Sequence, residues 1–274
     1  MGGFIPTVRD GKYSSNIALN VNLRRHGFGR QHSQPTPIMA RLPRLYAPGL
    51  PQLVQANFVH PLATASQPTP ADVLNPLMGW LGEAGAKHKV AVHGWLLATD
   101  RILLLATPTD EDGLPRLMQT LGRNLAARLR SGRVFAGRYR SALIEPGTWV
   151  LPALVWLETF PARAQPPHDP ENWPWSSAAG HTGGLHSASH WLADHADYWA
   201  CGNTPFDRQA NYRRRLAEGL SRGDLARIDQ AVLGQWALGS AAFIDGLSHV
   251  ASRRVAPGRR GRPPKKPPTD LPVA

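Results

Sequence analysis

The sequence is short of four features, and the first three shortages each exclude a class of protein. It has a single cysteine, Cys201, so no disulfide can form within the chain and a reducing cytoplasm is expected. No stretch approaches the roughly 18 uncharged apolar residues of a transmembrane helix, so no membrane location is expected. The N-terminus lacks the apolar segment of a secretory signal. Acidic residues are also scarce, 19 against 31 Lys and Arg, which gives a net charge of +12.

The positive charge lies mainly at the two ends of the chain. Residues 1–38 carry a net charge of +4 and residues 253–274 a net charge of +6, which leaves +2 for residues 39–252. Basic tails around a nearly neutral centre are typical of nucleic-acid-binding proteins. The alternative for the C-terminal tail is an extension that only adds solubility.

Composition divides the chain into four predicted segments. Residues 1–38 mix Gly, Ser, Asn, Arg and Pro without periodicity, which predicts a disordered extension and leaves Met1 or Met39 as the start. Residues 39–165 form the predicted α+β domain and residues 166–250 a mainly helical region. Residues 251–274 form a basic tail, predicted to be disordered.

Hydrophobic periodicity predicts the elements of the first domain. The hairpin at 90–106 turns at Thr99–Arg101, and its second strand is apolar without a break from Ile102 to Ala106, as expected of a strand buried on both faces. The order strand, helix, hairpin, helix, strand, helix predicts an antiparallel sheet with helices on one face. The other predicted elements are strands at 50–58 and 133–144, helices at 70–87, 112–130 and 148–157, and two later helices that start at Thr204 and Ser221.

Six short motifs resemble one family, the tyrosine transposases associated with repetitive extragenic palindromes (REP), within the HUH single-tyrosine transposases. Their order and spacing agree with the family from Met39 to the basic tail. The resemblance implies a ferredoxin-like α+β domain, a helical C-terminal part, and recognition of single-stranded DNA that folds into palindromic hairpins. The motifs are Met39–Gly49, Asp112–Arg123, Gly137–Ser141, Trp173–Ser177, Leu238–Ser240 and Arg260–Pro263.

The chemistry of that family requires two histidines on one strand face and a nearby tyrosine. The histidines hold Mg²⁺ or Mn²⁺, which polarises the scissile phosphate, and the tyrosine attacks the phosphorus. The resemblance places the two histidine positions at Arg101 and Leu103 and the tyrosine position at Trp156. We therefore expect no intact catalytic residues, no metal site and no cofactor.

Three functions remain open at the level of sequence. The first is a DNA-binding relative that has lost strand cleavage. The second is an active transposase that cuts and rejoins single-stranded DNA with Mg²⁺ or Mn²⁺ through replacement residues such as Asp100 or Tyr139. The third is a decaying product without a role. His93, on the adjacent strand, is interpreted as a packed histidine or one that supports a site indirectly.

The candidate DNA contacts are mainly arginines. The second helix supplies Arg123 and Arg128, and the following strand supplies Arg138 and Arg140, while Tyr139 can reach DNA or pack in the sheet. The tail resembles an AT-hook, which would bind A/T-rich duplex in the minor groove. The expected partner is DNA, at the nucleoid in the cytoplasm, bound by a monomer or homodimer. The AT-hook-like core is Arg260, Gly261, Arg262 and Pro263.

A second metal hypothesis concerns a histidine-rich stretch. His186 and His190 are four residues apart, a spacing that suits zinc on one helix face. Neither cysteine nor acidic residues have motif spacing around them, so the sequence does not favour a zinc site. The stretch also contains His181 and His195.

Overall fold

The computed structural model describes residues 43–63, 68–184, 190–251 and 253–258. None of the helices within these ranges is both long enough and apolar enough to cross a bilayer. The strands are β1 (Gln52–Asn57), β2 (Val90–Leu97), β3 (Arg101–Pro108) and β4 (Arg140–Leu143). The helices are α1 (Pro70–Lys87), α2 (Gly113–Leu129), α3 (Val150–Glu158), α4 (Ala178–Thr182), α5 (Ala196–Trp199), α6 (Pro205–Glu218), α7 (Arg222–Gly234) and α8 (Ala241–Ser248).

The four strands form one antiparallel sheet in the order β2-β3-β1-β4. The chain visits them as β1-α1-β2-β3-α2-β4, so each helix connects strands that are not neighbours. This is the split arrangement of the ferredoxin-like fold. The predicted fold class is confirmed.

The central strand β3 is buried on both faces, as its unbroken apolar run predicted. Every residue from Ile102 to Ala106 is fully buried. Because side chains alternate along a strand, Leu104 contributes to one core while Leu103 and Leu105 contribute to the other. Helices α1 and α2 cover the first of these faces with leucines at helical spacing. These leucines are Leu74, Leu77, Leu81, Leu117, Leu121 and Leu125.

The expectation that helices lie on one face of the sheet is wrong. The second face is covered by α3, α6 and α7, which bring Leu154, Tyr212 and Ile228 into a core with Leu53 and Leu103. A strand with two apolar faces needs cover on both, and the first domain supplies only α3 for the second face. The region predicted as 166–250 therefore shares a core with the sheet, and the domain boundaries themselves stay predictions.

The structure confirms the three capped helix starts, whereas the helix predicted from residue 148 begins at Val150. The Thr69 hydroxyl accepts a hydrogen bond from the Asp72 amide, and the Asp72 carboxylate accepts one from the Thr69 amide at 2.8 Å. These two bonds form a reciprocal capping box. Thr204 and Ser221 cap α6 and α7 in the same way, by accepting from the amides three residues later.

The strand predicted over 133–144 is shorter than expected, because β4 begins only at Arg140. Before it, Phe135 makes an isolated bridge to Phe58 just beyond β1. The Arg133 guanidinium donates to the carbonyls of Phe135 and Ala136, so a side chain satisfies groups that a strand partner would otherwise pair. Arg138 consequently lies ahead of the strand, and only Arg140 is in it.

Candidate nucleic-acid interface

The two strand positions that the resemblance assigns to histidines lie at the start of β3, next to the β2–β3 turn. Arg101 and Leu103 are two residues apart, so their side chains leave the same face of the sheet. β1 places Asn57 opposite Arg101 and Gln55 opposite Leu103. Leu103 is fully buried in the core formed with α3. This end of the sheet therefore presents an arginine and two amides where the resemblance implies a metal site.

Arg101 is anchored by two neighbours. Its Nε and Nη2 donate to Oδ2 of Asp100 at 2.9 and 2.6 Å. Its Cζ lies 4.5 Å from the ring centroid of Phe160, within cation–π range. The position thus holds a permanent positive charge in a fixed place, beside one carboxylate.

Trp156 occupies the expected position of the tyrosine and is buried in α3. Its indole Nε1 donates to Oδ1 of Asp229 on α7 at 2.9 Å. Arg163 donates to the Trp156 carbonyl, and its Cζ lies 5.4 Å from the Trp156 ring and 5.7 Å from the Phe160 ring. The Phe160 and Arg163 side chains therefore connect Arg101 to Trp156, so the structure brings these two positions into one cluster.

The donor chemistry of this cluster does not fit the divalent ion that the resemblance implies. An arginine side chain stays protonated and has no lone pair to offer, and leucine has no donor atom. Asp100 provides a carboxylate, which is already paired with Arg101. Within the described ranges, no group of three His, Cys, Asp or Glu side chains is arranged to hold a metal.

His93 lies at an irregularity in β2 and is buried. Its Nδ1 donates to the carbonyl of Ala193 at 2.6 Å, and its Nε2 accepts from the Thr107 hydroxyl at 2.8 Å. Burial lowers the pKa of His93 to about 4, which keeps the imidazole neutral at pH 7. Both ring nitrogens are thus occupied by protein partners, in keeping with the interpretation as a packed histidine.

Arg138 and Arg140 lie beside the same two amides. Together with Gln55 and Asn57 they line a pocket of about 160 Å³. Both arginines are exposed, and Nη1 of Arg140 lies 3.5 Å from the Leu233 carbonyl of α7. The structure therefore groups these two candidate DNA contacts at the β1–β4 side of the sheet end.

Tyr139 lies between these arginines in sequence but packs into the core under α2. The Cζ of Arg44 lies 4.0 Å from its ring centroid. Burial raises the pKa of Tyr139 to about 12, although the neighbouring arginines oppose that shift. Tyr139 is therefore a buried core residue just ahead of β4 in this structure, and a DNA contact by Tyr139 stays a prediction.

The remaining candidate contacts are distributed over α2 and the tail. Arg123 is exposed on α2. Arg128 donates from Nη2 to the Asp72 carbonyl at 2.7 Å, which ties α2 to the start of α1. Their roles in DNA binding stay predictions. The AT-hook-like core, Arg260, Gly261, Arg262 and Pro263, lies outside the described residues, as does His186 of the zinc hypothesis.

Sequence reasoning missed a buried carboxylate at the end of α3. Glu158 is fully buried and accepts three hydrogen bonds, from the Ser177 hydroxyl at 2.5 Å, His181 Nδ1 at 2.6 Å and the Tyr212 hydroxyl at 2.7 Å. Tyr198 donates to the His181 carbonyl at 2.9 Å. We name Glu158, Ser177, His181 and Tyr212 the Glu158 network. It joins α3, α4 and α6 beneath the second face of the sheet.

The charge of Glu158 determines the state of His181. Burial alone would lower the pKa of His181, but the carboxylate and its hydrogen bond outweigh burial and leave that pKa above its usual value. The other ring nitrogen, Nε2, lies 3.9 Å from Oδ1 of Asp194. His181 belongs to the histidine-rich stretch, and its role here is to pair with a buried carboxylate.

Comparison with known proteins gives matches among solved structures alone. No family model matches the chain, and no curated protein matches it. Among solved structures, the chain is similar to a REP-associated tyrosine transposase bound to a REP hairpin, at 11% identity and a TM-score of 0.44. The match covers 58% of this chain and 96% of that one.

Proposed function

We propose that this protein binds single-stranded DNA that folds into palindromic hairpins and does not cut it. The observation that carries the proposal is the cluster of Arg101, Phe160, Arg163 and Trp156. The motifs of the sequence imply that positions 101 and 156 belong to one active site, and side-chain contacts connect them. Each position nevertheless holds a residue that can neither bind a metal ion nor attack phosphorus.

The surface around this cluster supports binding to a polyanion. Arg138 and Arg140 face solvent beside Gln55 and Asn57, whose amides can donate to phosphate or to base edges. The whole chain carries a net charge of +12, so long-range attraction to nucleic acid is built in. The tail is proposed to add a contact to A/T-rich duplex.

A binding assay tests the proposal directly. A palindromic hairpin, an unstructured oligonucleotide of equal length and a duplex compete for the full chain at about 0.15 M salt, because affinity measured at low salt is dominated by phosphate contacts. The hairpin is expected to bind most tightly. The double variant Arg138→Ala/Arg140→Ala should weaken hairpin binding about tenfold and reduce the salt dependence. Arg222→Ala, an exposed arginine at the start of α7, is the control with a smaller charge loss.

A second measurement separates binding from cleavage. The chain is incubated with the hairpin and Mn²⁺, and a covalent protein–DNA adduct is sought on a denaturing gel. No adduct is expected. An adduct would establish the alternative, an active transposase with replacement residues, and equal affinity for the three DNA forms would favour a protein without a retained DNA role.

A further inference from the structure

An open pocket of about 430 Å³ lies between α2 and the segment that precedes β4. We name it the Arg116 pocket. Its volume is in the range of pockets that hold small molecules, roughly 300–1,000 Å³. Three arginines and one aspartate line it, so its charged side chains sum to +2. These charged residues are Arg44, Arg116, Arg138 and Asp112, and the apolar lining includes Ala56, Met118 and Phe135.

Two of the arginines are brought together around Tyr139. Arg44 precedes β1, and its Cζ lies 4.0 Å from the ring centroid of Tyr139. Arg138 is the sequence neighbour of Tyr139 and lines the same pocket. Burial lowers the pKa of Arg44, and the charge of Arg138 lowers it further, so the two guanidinium groups repel each other. A bound anion would relieve this repulsion.

Arg116 supplies the third guanidinium from the first turn of α2. Its Nη2 donates to Oδ2 of Asp112 at 2.8 Å. Both side chains are exposed, so this ion pair is weak and another anion can replace the carboxylate. Asp112 is the residue before α2, yet its carboxylate makes no capping hydrogen bond to that helix. The start of α2 therefore does not depend on the charge of Asp112.

Exposed cations above buried carbon atoms match a phosphate ester. Guanidinium groups bind phosphate through paired N–H donors, and the buried Met118 and Ala56 offer an apolar surface to the carbon atoms beside it. We propose that the Arg116 pocket binds a sugar phosphate, supplied either by the backbone of bound DNA or by a free small molecule. The first of these sources rests on the proposed function, whereas the second does not.

Titration calorimetry of the full chain with deoxyribose phosphate, the unit of the DNA backbone without its base, tests the pocket at about 0.15 M salt. Saturable binding is expected. Arg116→Ala should weaken it about tenfold, as the loss of one charge-assisted contact would. Asp112→Asn should strengthen it, because the competing carboxylate is removed and α2 loses no capping bond. The proposal is overturned if binding is not saturable, or if Asp112→Asn weakens it.

Two glycines form a matched pair that separates the pocket from the overall charge of the chain. Gly137 lines the pocket and Gly132 does not, and a Cβ added at either one meets no atom within 4 Å. Gly137→Asp and Gly132→Asp therefore make the same charge change without a clash at Cβ. Only Gly137→Asp should weaken binding of deoxyribose phosphate, by about tenfold. Equal effects would assign the binding to the net charge of +12 and overturn the proposal.

The affinity for a palindromic hairpin identifies the source of the phosphate. If the DNA backbone supplies it, Arg116→Ala lowers hairpin affinity as well, and deoxyribose phosphate competes with the hairpin. If a free sugar phosphate is the ligand, Arg116→Ala leaves hairpin affinity unchanged. Either result supports the pocket, because the titration locates the binding independently. If hairpins bind no better than an unstructured oligonucleotide, the proposed function fails, and the titration still decides the pocket proposal.

Discussion

The two faces of the sheet are covered in different ways. Helices α1 and α2 lie on the first face, and the leucines that cover it, such as Leu77 and Leu121, form an apolar core with the sheet residues beneath them. Both helices connect strands of the sheet directly. The second face combines an apolar core with the buried Glu158 network and receives helices from a region more than 50 residues beyond β4.

The two faces are therefore expected to respond differently to substitution, because one is stabilised by apolar contacts alone and the other also by buried hydrogen bonds. Truncation of a buried apolar side chain lowers the unfolding free energy in proportion to the area and volume removed. The neighbouring leucines relax in part around the smaller side chain. A buried carboxylate with three donors behaves differently. If any partner is removed, a buried polar group loses a hydrogen bond that water cannot replace. We infer that the first face tolerates substitution gradually, and that the second face depends on each member of the Glu158 network.

The largest effect is expected from Glu158→Ala. The change removes the carboxylate that three buried donors share and leaves His181 Nδ1 and the Tyr212 hydroxyl without that acceptor, while the Ser177 hydroxyl keeps a contact of 3.3 Å to the Trp95 carbonyl. Loss of one partner of a buried charged network costs about 3–5 kcal/mol of unfolding free energy. Urea unfolding followed by circular dichroism measures the loss.

Glu145→Ala is the control for Glu158→Ala. Glu145 also accepts two hydrogen bonds, from the amide and the hydroxyl of Ser240 at 2.8 and 2.7 Å, but these bonds are exposed to solvent. Its loss should cost about 1 kcal/mol. Equal losses for the two variants would refute the distinction between the faces.

The same difference between the two faces explains how well each could be predicted from the sequence. The first face was predicted nearly completely, because leucine spacing in α1 and α2 and the Thr69 capping box are local signals. The hairpin and the double burial of β3 could also be predicted, since the apolar run of Ile102–Ala106 is short and directly follows a polar turn, which favours a buried strand.

The second face and the candidate site were predicted only in part. The resemblance located positions 101, 103 and 156, but neither composition nor spacing indicates that Phe160 and Arg163 join them. Glu158 lies in an otherwise apolar helix end and its partners Ser177, His181 and Tyr212 are 19 to 54 residues away. No periodicity links residues so far apart, so the network depends on tertiary packing alone.

An intermediate effect is expected from acid acting on His93. The folded-state pKa of His93, about 4, lies below its usual value of 6.5, so the unfolded chain binds the proton more readily. The stability that neutral His93 contributes is therefore present above pH 6.5 and is lost as the pH falls toward 4. By linkage this loss amounts to about 2–3 kcal/mol between pH 7 and pH 4.5.

The variant His93→Gln isolates that contribution, because glutamine does not titrate. Unfolding free energies of both proteins are measured at pH 7 and pH 4.5, and the difference between the two pH values is compared. The unaltered chain should lose about 2–3 kcal/mol more than the variant. Parallel losses would mean that His93 is not held neutral by the fold.

The smallest effect is expected from Tyr212→Phe, which tests whether the Glu158 network acts as a unit. The change removes one donor to the buried carboxylate at 2.7 Å and preserves the ring packing. A hydrogen bond to a charged group contributes about 2 kcal/mol. Tyr198→Phe is the control, since that hydroxyl donates to the neutral His181 carbonyl and its loss should cost about 1 kcal/mol.

In the Glu158→Ala background Tyr212→Phe should cost almost nothing further, because the acceptor is already gone. Additive losses in the double variant would show that Tyr212 stabilises α6 by a contact independent of Glu158.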